Sequence, residues 1–432
     1  MTFHKPDEQP DHGSSLSRRR LLQVGGIGAM GLSLPDLLQA DELTQNDQGV
    51  GGEAKSCILI HQYGGLSQLD SWDMKPDAPQ EIRGPYKPIS TATPGFQVCE
   101  LMPRLAQLST KYAVVRSMTH QQSGHQQANS MYLAGRQNPA NDDPSFGAMV
   151  TKLCPSEANV PASPNFRVRA FDAQGVTAEQ LQERRRLLEG LQRHSPLAKT
   201  TEFDGFSLHQ QRAFELLRDG TARQAFDVDK EDAKIRDRYG RNPLGQNLLL
   251  ARRLIETCVR LVNVVAWTGL GVGEKFRSVE TWDMHGNADV GIFEDGWNGL
   301  PFALPRTDQA VATLLEDLQD RGLLDSTLVV LVGEFGRIPV IRKGAKRIGR
   351  DHWPACYSAM LAGAGVQGGV VYGQSDKQAG YVKTNPVTLE DFTATLFAAM
   401  DINPASRLSP DGFTGPASSG NPIAALLKSG DW

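Results

Sequence analysis

Residues able to do chemistry gather in a few short stretches of this chain. WDMHGN places Asp283 two positions before His285, GEFGR carries Glu334 and Arg337, and RDHWP sets Asp351 beside His352. Carboxylates and imidazoles supply oxygen and nitrogen donors, and donors delivered by separate loops can meet the angles a divalent ion demands. Histidine is scarce, with nine in total, and His4 and His12 precede any fold-like pattern. Four of the other seven, His120, His125, His285 and His352, stand beside acids or just after strand-like runs. Asp283, His285, Glu334, Asp351 and His352 are therefore the expected metal set, while for any single histidine a hydrogen-bonded structural role competes with ligation. GGLSQLDSWD adds Ser67, Asp70 and Asp73. Asp73 suits a turn cap before Pro76 and Pro79 as well as it suits a ligand, and Ser67 lacks an identifiable base and reads as a turn serine.

These residues follow runs that must be strands. CILIHQYGG (57–65), YAVVRSM (112–118), RLVNVVAW (260–267), STLVVLVGEFG (326–336) and YSAMLAGAG (357–365) are continuous apolar stretches that end in polar or glycine-rich turns, the pattern of buried strands. Helical periods lie between them. Leu248, Ala251, Leu254, Ile255, Cys258 and Val259 fall on one face, as do Val311, Leu314, Leu315 and Leu318, with Gly322 as a stop. Thr388 and Asp391 form a helix-start signal before Phe392. Alternating strands and helices predict an α/β fold with a mostly parallel sheet covered on both faces, in which ligands bind at the carboxyl ends of strands. The charged stretch 176–241 lacks strand-like runs and reads as a helical insertion.

The N-terminal segment is of another kind. SRRRLLQVGGIGAMGLSLPDLLQA (17–40) has an arginine pair, Arg18 and Arg19, before Leu21, Leu22 and a weakly apolar, glycine-rich run. This is a twin-arginine export signal over residues 1–40, with a polar linker at 41–54 and the domain at 55–432. It predicts a periplasmic or secreted protein, the export machinery as a partner, and no stable membrane span in the mature chain, because the glycines and Pro35 weaken a run barely long enough to cross a bilayer. A net charge of -4 argues against a nucleic-acid partner. The five cysteines are widely spaced, so neither a disulfide scaffold nor a zinc ribbon is available. Dinucleotide, P-loop and GxSxG signatures are lacking in the pattern each requires.

Taken in order, GGLSQLDSWDMKP, SGHQQANSMYLAG, RYG with LLARRLIE, WDMHGN, GEFGR and RDHWP resemble the exported, uncharacterised family called domain of unknown function 1501. That family is similar in turn to the alkaline phosphatase and sulfatase superfamily. The resemblance implies a three-layer α/β/α sandwich with a metal site at the strand ends. It implies that Asp283, His285 and His352 ligate one divalent metal (zinc, calcium, magnesium or manganese), that Glu334 occupies an acidic position of a second, and that Asp70 stands in for a missing first-strand aspartate. The nucleophile position falls on His125, so water is the expected attacking group, with His125 and Arg337 as catalytic residues and Arg337 or Arg350 neutralising an anion. The function implied is an exported hydrolase-like protein acting on a phosphate or sulfate ester. The alternative is a catalytically degenerate metal- or glycan-binding protein of the same fold.

Overall fold

The structure is a computed structural model that describes residues 55–140, 143–153, 224–286, 290–343, 346–407 and 415–428, with Glu183 and Arg186 in addition. The export signal, the linker and most of the 176–241 insertion lie outside the described residues. The described end of that insertion holds a short helix, Ala233–Tyr239.

Six strands form the central sheet: β1 (Ser56–His61), β2 (Tyr112–Met118), β3 (Leu261–Val265), β4 (Thr327–Val332), β5 (Tyr357–Ala362) and β6 (Val371–Tyr372). Their spatial order is β6-β2-β5-β4-β1-β3. β1 runs parallel to both β3 and β4, and the register pairs His61 with Val265 on one side and Val332 on the other, so three carboxyl ends finish level. β5 alone is antiparallel to its neighbours β2 and β4. That reversal matters for the site. The segment between β4 and β5, which carries GEFGR and RDHWP, leaves and re-enters the sheet at the same edge, because the amino end of an antiparallel strand lies beside the carboxyl end of its neighbour.

Side chains alternate across the sheet, as period two requires, and each set is buried. Ile58, Ile60, Val262, Val264, Val329 and Leu331 face a core built with helices α3 (Pro243–Glu256) and α4 (Leu300–Asp320). Cys57, Leu59, Val115, Leu328 and Val330 face the opposite core, built with α1 (His125–Ala134), α2 (Phe146–Leu153) and α5 (Leu389–Ala399). The result is a three-layer α/β/α arrangement around a mostly parallel sheet. Thr388 caps α5 by accepting from the Asp391 N–H, and Asn242 caps α3 by accepting from the Gly245 N–H. The expected face of α3 holds through Ile255, but the helix ends at Glu256, and Cys258 stands exposed in a left-handed turn (φ 64°) rather than on the helical face. No helix among the described residues is long and apolar enough to cross a membrane.

One buried acid ties two parts of the fold. Asp308 on α4 accepts from the backbone N–H groups of Leu105 and Arg104 at 2.8 and 3.0 Å. Burial raises its carboxyl to about 6 although these hydrogen bonds pull the other way. An unfolded Asp gives up its proton near 4, so the fold holds that proton more tightly. The group's favourable contribution is complete below about pH 4 and is lost as pH rises through 6, a decline of about 2–3 kcal/mol. Denaturant titrations at pH 4.5, 5.5 and 7 should show this slope in the native protein and a flatter one in Asp308→Asn; equal slopes would reject the assignment.

Candidate metal centre

The loops at the carboxyl edge converge on one oxygen, Oδ1 of Asp283. Arg337 Nη2 donates to it at 2.9 Å, and the Nε2 atoms of His352 and His285 lie 2.9 and 3.0 Å away. His125 Nε2 lies at 3.4 Å. His285 Nε2 and His352 Nε2 are themselves 2.8 Å apart.

Outer partners set which nitrogen of each ring carries the proton. His352 Nδ1 is 2.7 Å from the carbonyl oxygen of Ser123, which can only accept, so Nδ1 donates and Nε2 turns a lone pair inward. His285 Nδ1 donates in the same way to Asp351 Oδ1 at 3.0 Å, and its Nε2 faces Asp283. Burial lowers the His352 pKa, only partly offset by Asp283, and the positive charges nearby lower it further, so its ring is neutral. Two imidazole lone pairs and a carboxylate oxygen therefore point at one another, an arrangement that calls for a cation or a shared proton. A tetrahedral ion with bonds of about 2.0–2.1 Å holds its donors about 3.3 Å apart, so these groups need to part by only a few tenths of an ångström.

His125, the first residue of α1, completes the set. Its Nδ1 is 2.8 Å from Glu334 Oε1, and its Nε2 is buried with no hydrogen-bond partner. His125, Asp283 and His352 present donor atoms that all lie within 4.8 Å of one another. Burial alone would lower the pKa of His125, but the carboxylates of Asp283 and Glu334 outweigh it and raise it to about 9. In the absence of a metal this imidazolium supplies the positive charge that Asp283 requires. Asp283 itself is held far below the usual carboxylate range: burial opposes ionisation, but His125, His285, His352 and Arg337 all favour the anion.

Glu334 and Asp351, both expected as ligands, are placed one step further out. Glu334 accepts from the Gly64 N–H at 2.9 Å and from His125 on Oε1, while Oε2 meets His61 Nε2 at 3.2 Å. These bonds hold its pKa near 2 against the effect of burial. Asp351 is shared between His285 and Arg342, whose Nη1 donates at 2.8 Å. Carboxylates in this position fix ring orientation and raise the basicity of the coordinating nitrogen. Apart from its place as the last residue of a strand, His61 carries no site signal in the sequence, because it sits inside the apolar run of β1.

The remaining expected residues sit elsewhere or act differently. Asp70 is buried and bonded to Arg350, with Oδ2 at 2.8 Å from Nε and Oδ1 at 3.2 Å from Nη2, and Ser67 donates to Oδ2 at 2.5 Å. A carboxylate taken up in this way stands as a structural ion pair rather than a ligand. Arg337 is wholly buried, and its donors go to Asp283 and to the carbonyls of Gly64, Gly65, Trp282 and Arg350. Arg350 is equally buried, bonded to Asp70 and to the carbonyls of Ile82 and Pro339. Neither guanidinium is free to meet a solvent-borne anion, which corrects the expectation that one of them neutralises the substrate. His120 uses both nitrogens structurally: Nε2 donates to the Glu334 carbonyl at 2.6 Å and Nδ1 accepts from the Gln122 N–H. Asp73 pairs with Lys75 at 2.9 Å and accepts from Ser375 Oγ.

Two glycines let these loops meet. A Cβ on Gly64 (φ 109°) would lie 2.2 Å from the Asp283 nitrogen, and one on Gly349 would lie 2.0 Å from the His285 carbonyl carbon. Backbone approaches this close leave no room for any side chain.

Substitutions should separate ligands from scaffolding. Asp70→Asn strands the buried Arg350 charge and should cost about 3–5 kcal/mol of stability, while the folded protein keeps its zinc affinity within about twofold. Asp351→Asn should weaken zinc about 10–100-fold, as loss of an orienting partner does, and Asp283→Asn should weaken it more than either. Calorimetric zinc titration of the three variants checks this order; a weaker site in Asp70→Asn than in Asp283→Asn would overturn it.

Solved structures with a similar course include the phosphonate monoester hydrolase SpPMH from Silicibacter pomeroyi (12% identity, 88% of this chain and 78% of that one, TM-score 0.34). The lipoteichoic acid synthase LtaP from Listeria monocytogenes is 11% identical over 89% of this chain and 80% of its own, with a TM-score of 0.33. The PsFucS1 sulfatase from Pseudoalteromonas sp. is 12% identical over 89% and 72%, with a TM-score of 0.34. At such values the fold assignment rests on the sheet order and layers described above. No curated protein sequence matches the chain. A family model described as "Protein of unknown function (DUF1501)" matches residues 54–169 and 162–412, which take in all six strands of the sheet and every residue of the candidate centre, and the chain belongs to that family.

Proposed function

We propose that this protein is an exported, metal-dependent hydrolase acting on an anionic ester, a phosphate or a sulfate. The observation that carries the reading is the convergence of the His285 and His352 lone pairs on Asp283 Oδ1, with each ring locked from behind by Asp351 or by the Ser123 carbonyl. Asp283, His285, His352 and His125 would hold the ion. A donor set rich in imidazole favours zinc over calcium or magnesium. Bound there, a divalent ion supplies polarisation of an ester oxygen and a water made acidic near neutral pH.

The chain's own groups do the rest. Arg337 keeps Asp283 ionised and aimed, and Glu334 with Asp351 orients His125 and His285. His125, whose side chain is about one-quarter exposed, reaches the open side of the centre and is the group placed to carry a proton. Among the described residues, the hydrogen bonds at the centre are made by carboxylates, imidazoles, a guanidinium and backbone groups, and water is the attacking group in this reading. Charge also favours an anionic substrate. Asp283, Glu334 and Asp351 set three negative charges against Arg337 and Arg342, so a divalent ion held by uncharged imidazoles would leave the centre with a net single positive charge.

A second reading, a degenerate metal-binding protein of the same fold, is favoured by one observation: Arg337 and Arg350 are both fully buried, and Arg342 is already bonded to Asp351. Turnover decides between the two. Zinc-loaded protein assayed on aryl phosphate and aryl sulfate esters should hydrolyse one class, lose activity with a chelator, regain it with zinc, and lose at least about 100-fold in His285→Ala. Stoichiometric zinc without turnover on either class would leave the binding protein as the account.

Export rests on the arginine pair. The receptor for this signal reads two guanidinium groups, and lysine keeps the charge but not the planar fork. Arg18→Lys combined with Arg19→Lys should strand the protein in the cytoplasm, and an unchanged periplasmic yield in a fractionation experiment would refute the assignment.

A further inference from the structure

Beyond the carboxyl end of β3 lies a second cleft, of about 370 Å³, within the range of small-molecule pockets. It opens between the start of α3, the first third of α4 and the loop that follows β3. Its walls include Asp237, Asn242, Thr268, Leu270, Arg306 and Gln309. Because α3 and α4 both run toward the amino ends of the strands that follow them, this cleft and the metal centre sit on the same edge of the sheet. β1, whose last residue His61 meets Glu334, is the immediate neighbour of β3.

Three observations define what the cleft takes. The first is an unsatisfied group: Thr268 is 1% exposed, and its Oγ1 has no hydrogen-bond partner, which costs about 1–3 kcal/mol unless something bonds to it. The second is the mixture of fixed donors and acceptors. Arg306 is laid flat on the Phe302 ring, with its carbon 3.3 Å from the centroid, and donates to the Phe302 carbonyl at 3.2 Å. Gln309 is held by donating to the carbonyls of Asp237 and Arg238. The third is the apolar part of the wall, Pro243 at the start of α3 and Leu270 in the loop after β3.

Charge selects among ligands. Asp237 is neutralised by Arg241, whose Nε donates to it at 2.5 Å, while Asp295 and Glu274 act on Arg306 from nearby. Three carboxylates against two guanidiniums disfavour an oxyanion, and the Arg306 fork disfavours a metal cation. A neutral ligand with several hydroxyl groups satisfies both the donors and the acceptors, and its C–H faces suit Leu270 and Pro243 in the cleft wall. We propose that this cleft is a subsite for a sugar ring. The subsite rests on the reading of the metal centre only for its link to catalysis, where it would make a glycan the carrier of the ester.

The test uses the full-length exported protein on an array of neutral and anionic oligosaccharides, followed by titration of the best binder. At least one oligosaccharide should bind, with affinity reduced tenfold or more in Thr268→Val and in Arg306→Gln. Loss in these cleft variants supports the subsite whether or not Asp283→Asn also weakens binding. Absence of any bound oligosaccharide, or unchanged affinity in both cleft variants, overturns it. Ester turnover measured on the same variants keeps the two ideas apart: Asp283→Asn should abolish turnover, whereas the cleft variants should leave hydrolysis of a small aryl ester within about twofold.

Discussion

A single carboxylate oxygen organises this molecule's functional edge. Asp283 Oδ1 is approached by a buried guanidinium and by three imidazoles, and much of the surrounding structure can be traced to keeping it ionised and aimed. Desolvating such a charge is expensive, and it is tolerated only where partners are fixed in good geometry. Arg337 is one such partner, and it is fixed by four backbone carbonyls contributed by different loops. The guanidinium thus serves as the pin through which the β1 loop, the Trp282 turn and the Arg350 segment are held against Asp283. The imidazoles are fixed from their far sides by Asp351, the Ser123 carbonyl and Glu334.

The sheet topology makes this assembly possible at small cost in chain length. Level carboxyl ends of β1, β3 and β4 deliver the loops to one edge, and the antiparallel β5 returns the GEFGR-to-RDHWP segment to that edge without a crossover. His352 pairs with Arg337 across a short antiparallel ribbon within that return, so a candidate ligand and the residue that pins Asp283 sit directly opposite each other. The Asp70–Arg350 pair anchors the same segment from beneath. It is a structural element with the look of a site: charged, buried and formed from residues just after strands.

Much of this was legible in the sequence, and the failures have physical causes. The strands were visible because both faces of a mostly parallel sheet are buried, which writes continuous apolar runs. Asp283, His285 and His352 were visible because their types and their places after strands are unusual together. Their separation from Glu334 and Asp351 is not visible, since those acids differ from Asp283 only in whether they face the centre or the far nitrogen of a ring. The pairing of Asp70 with Arg350 is not legible because the two lie 280 positions apart, and His61 gives no signal of its own because it belongs to an apolar strand. The direction of β5 was also hidden, because an apolar strand reads alike in either orientation.

The central claim is that Asp283, His285, His352 and His125 form one cation site. It is tested most directly by a crystal structure of the zinc-loaded protein with an anomalous difference map collected at the zinc edge. The account predicts one peak among these four side chains at bonding distance, about 2.0–2.2 Å, with Glu334 and Asp351 still bonded to the far nitrogens of His125 and His285. A zinc peak elsewhere, or none while the His285 and His352 Nε2 atoms remain 2.8 Å apart, would contradict it.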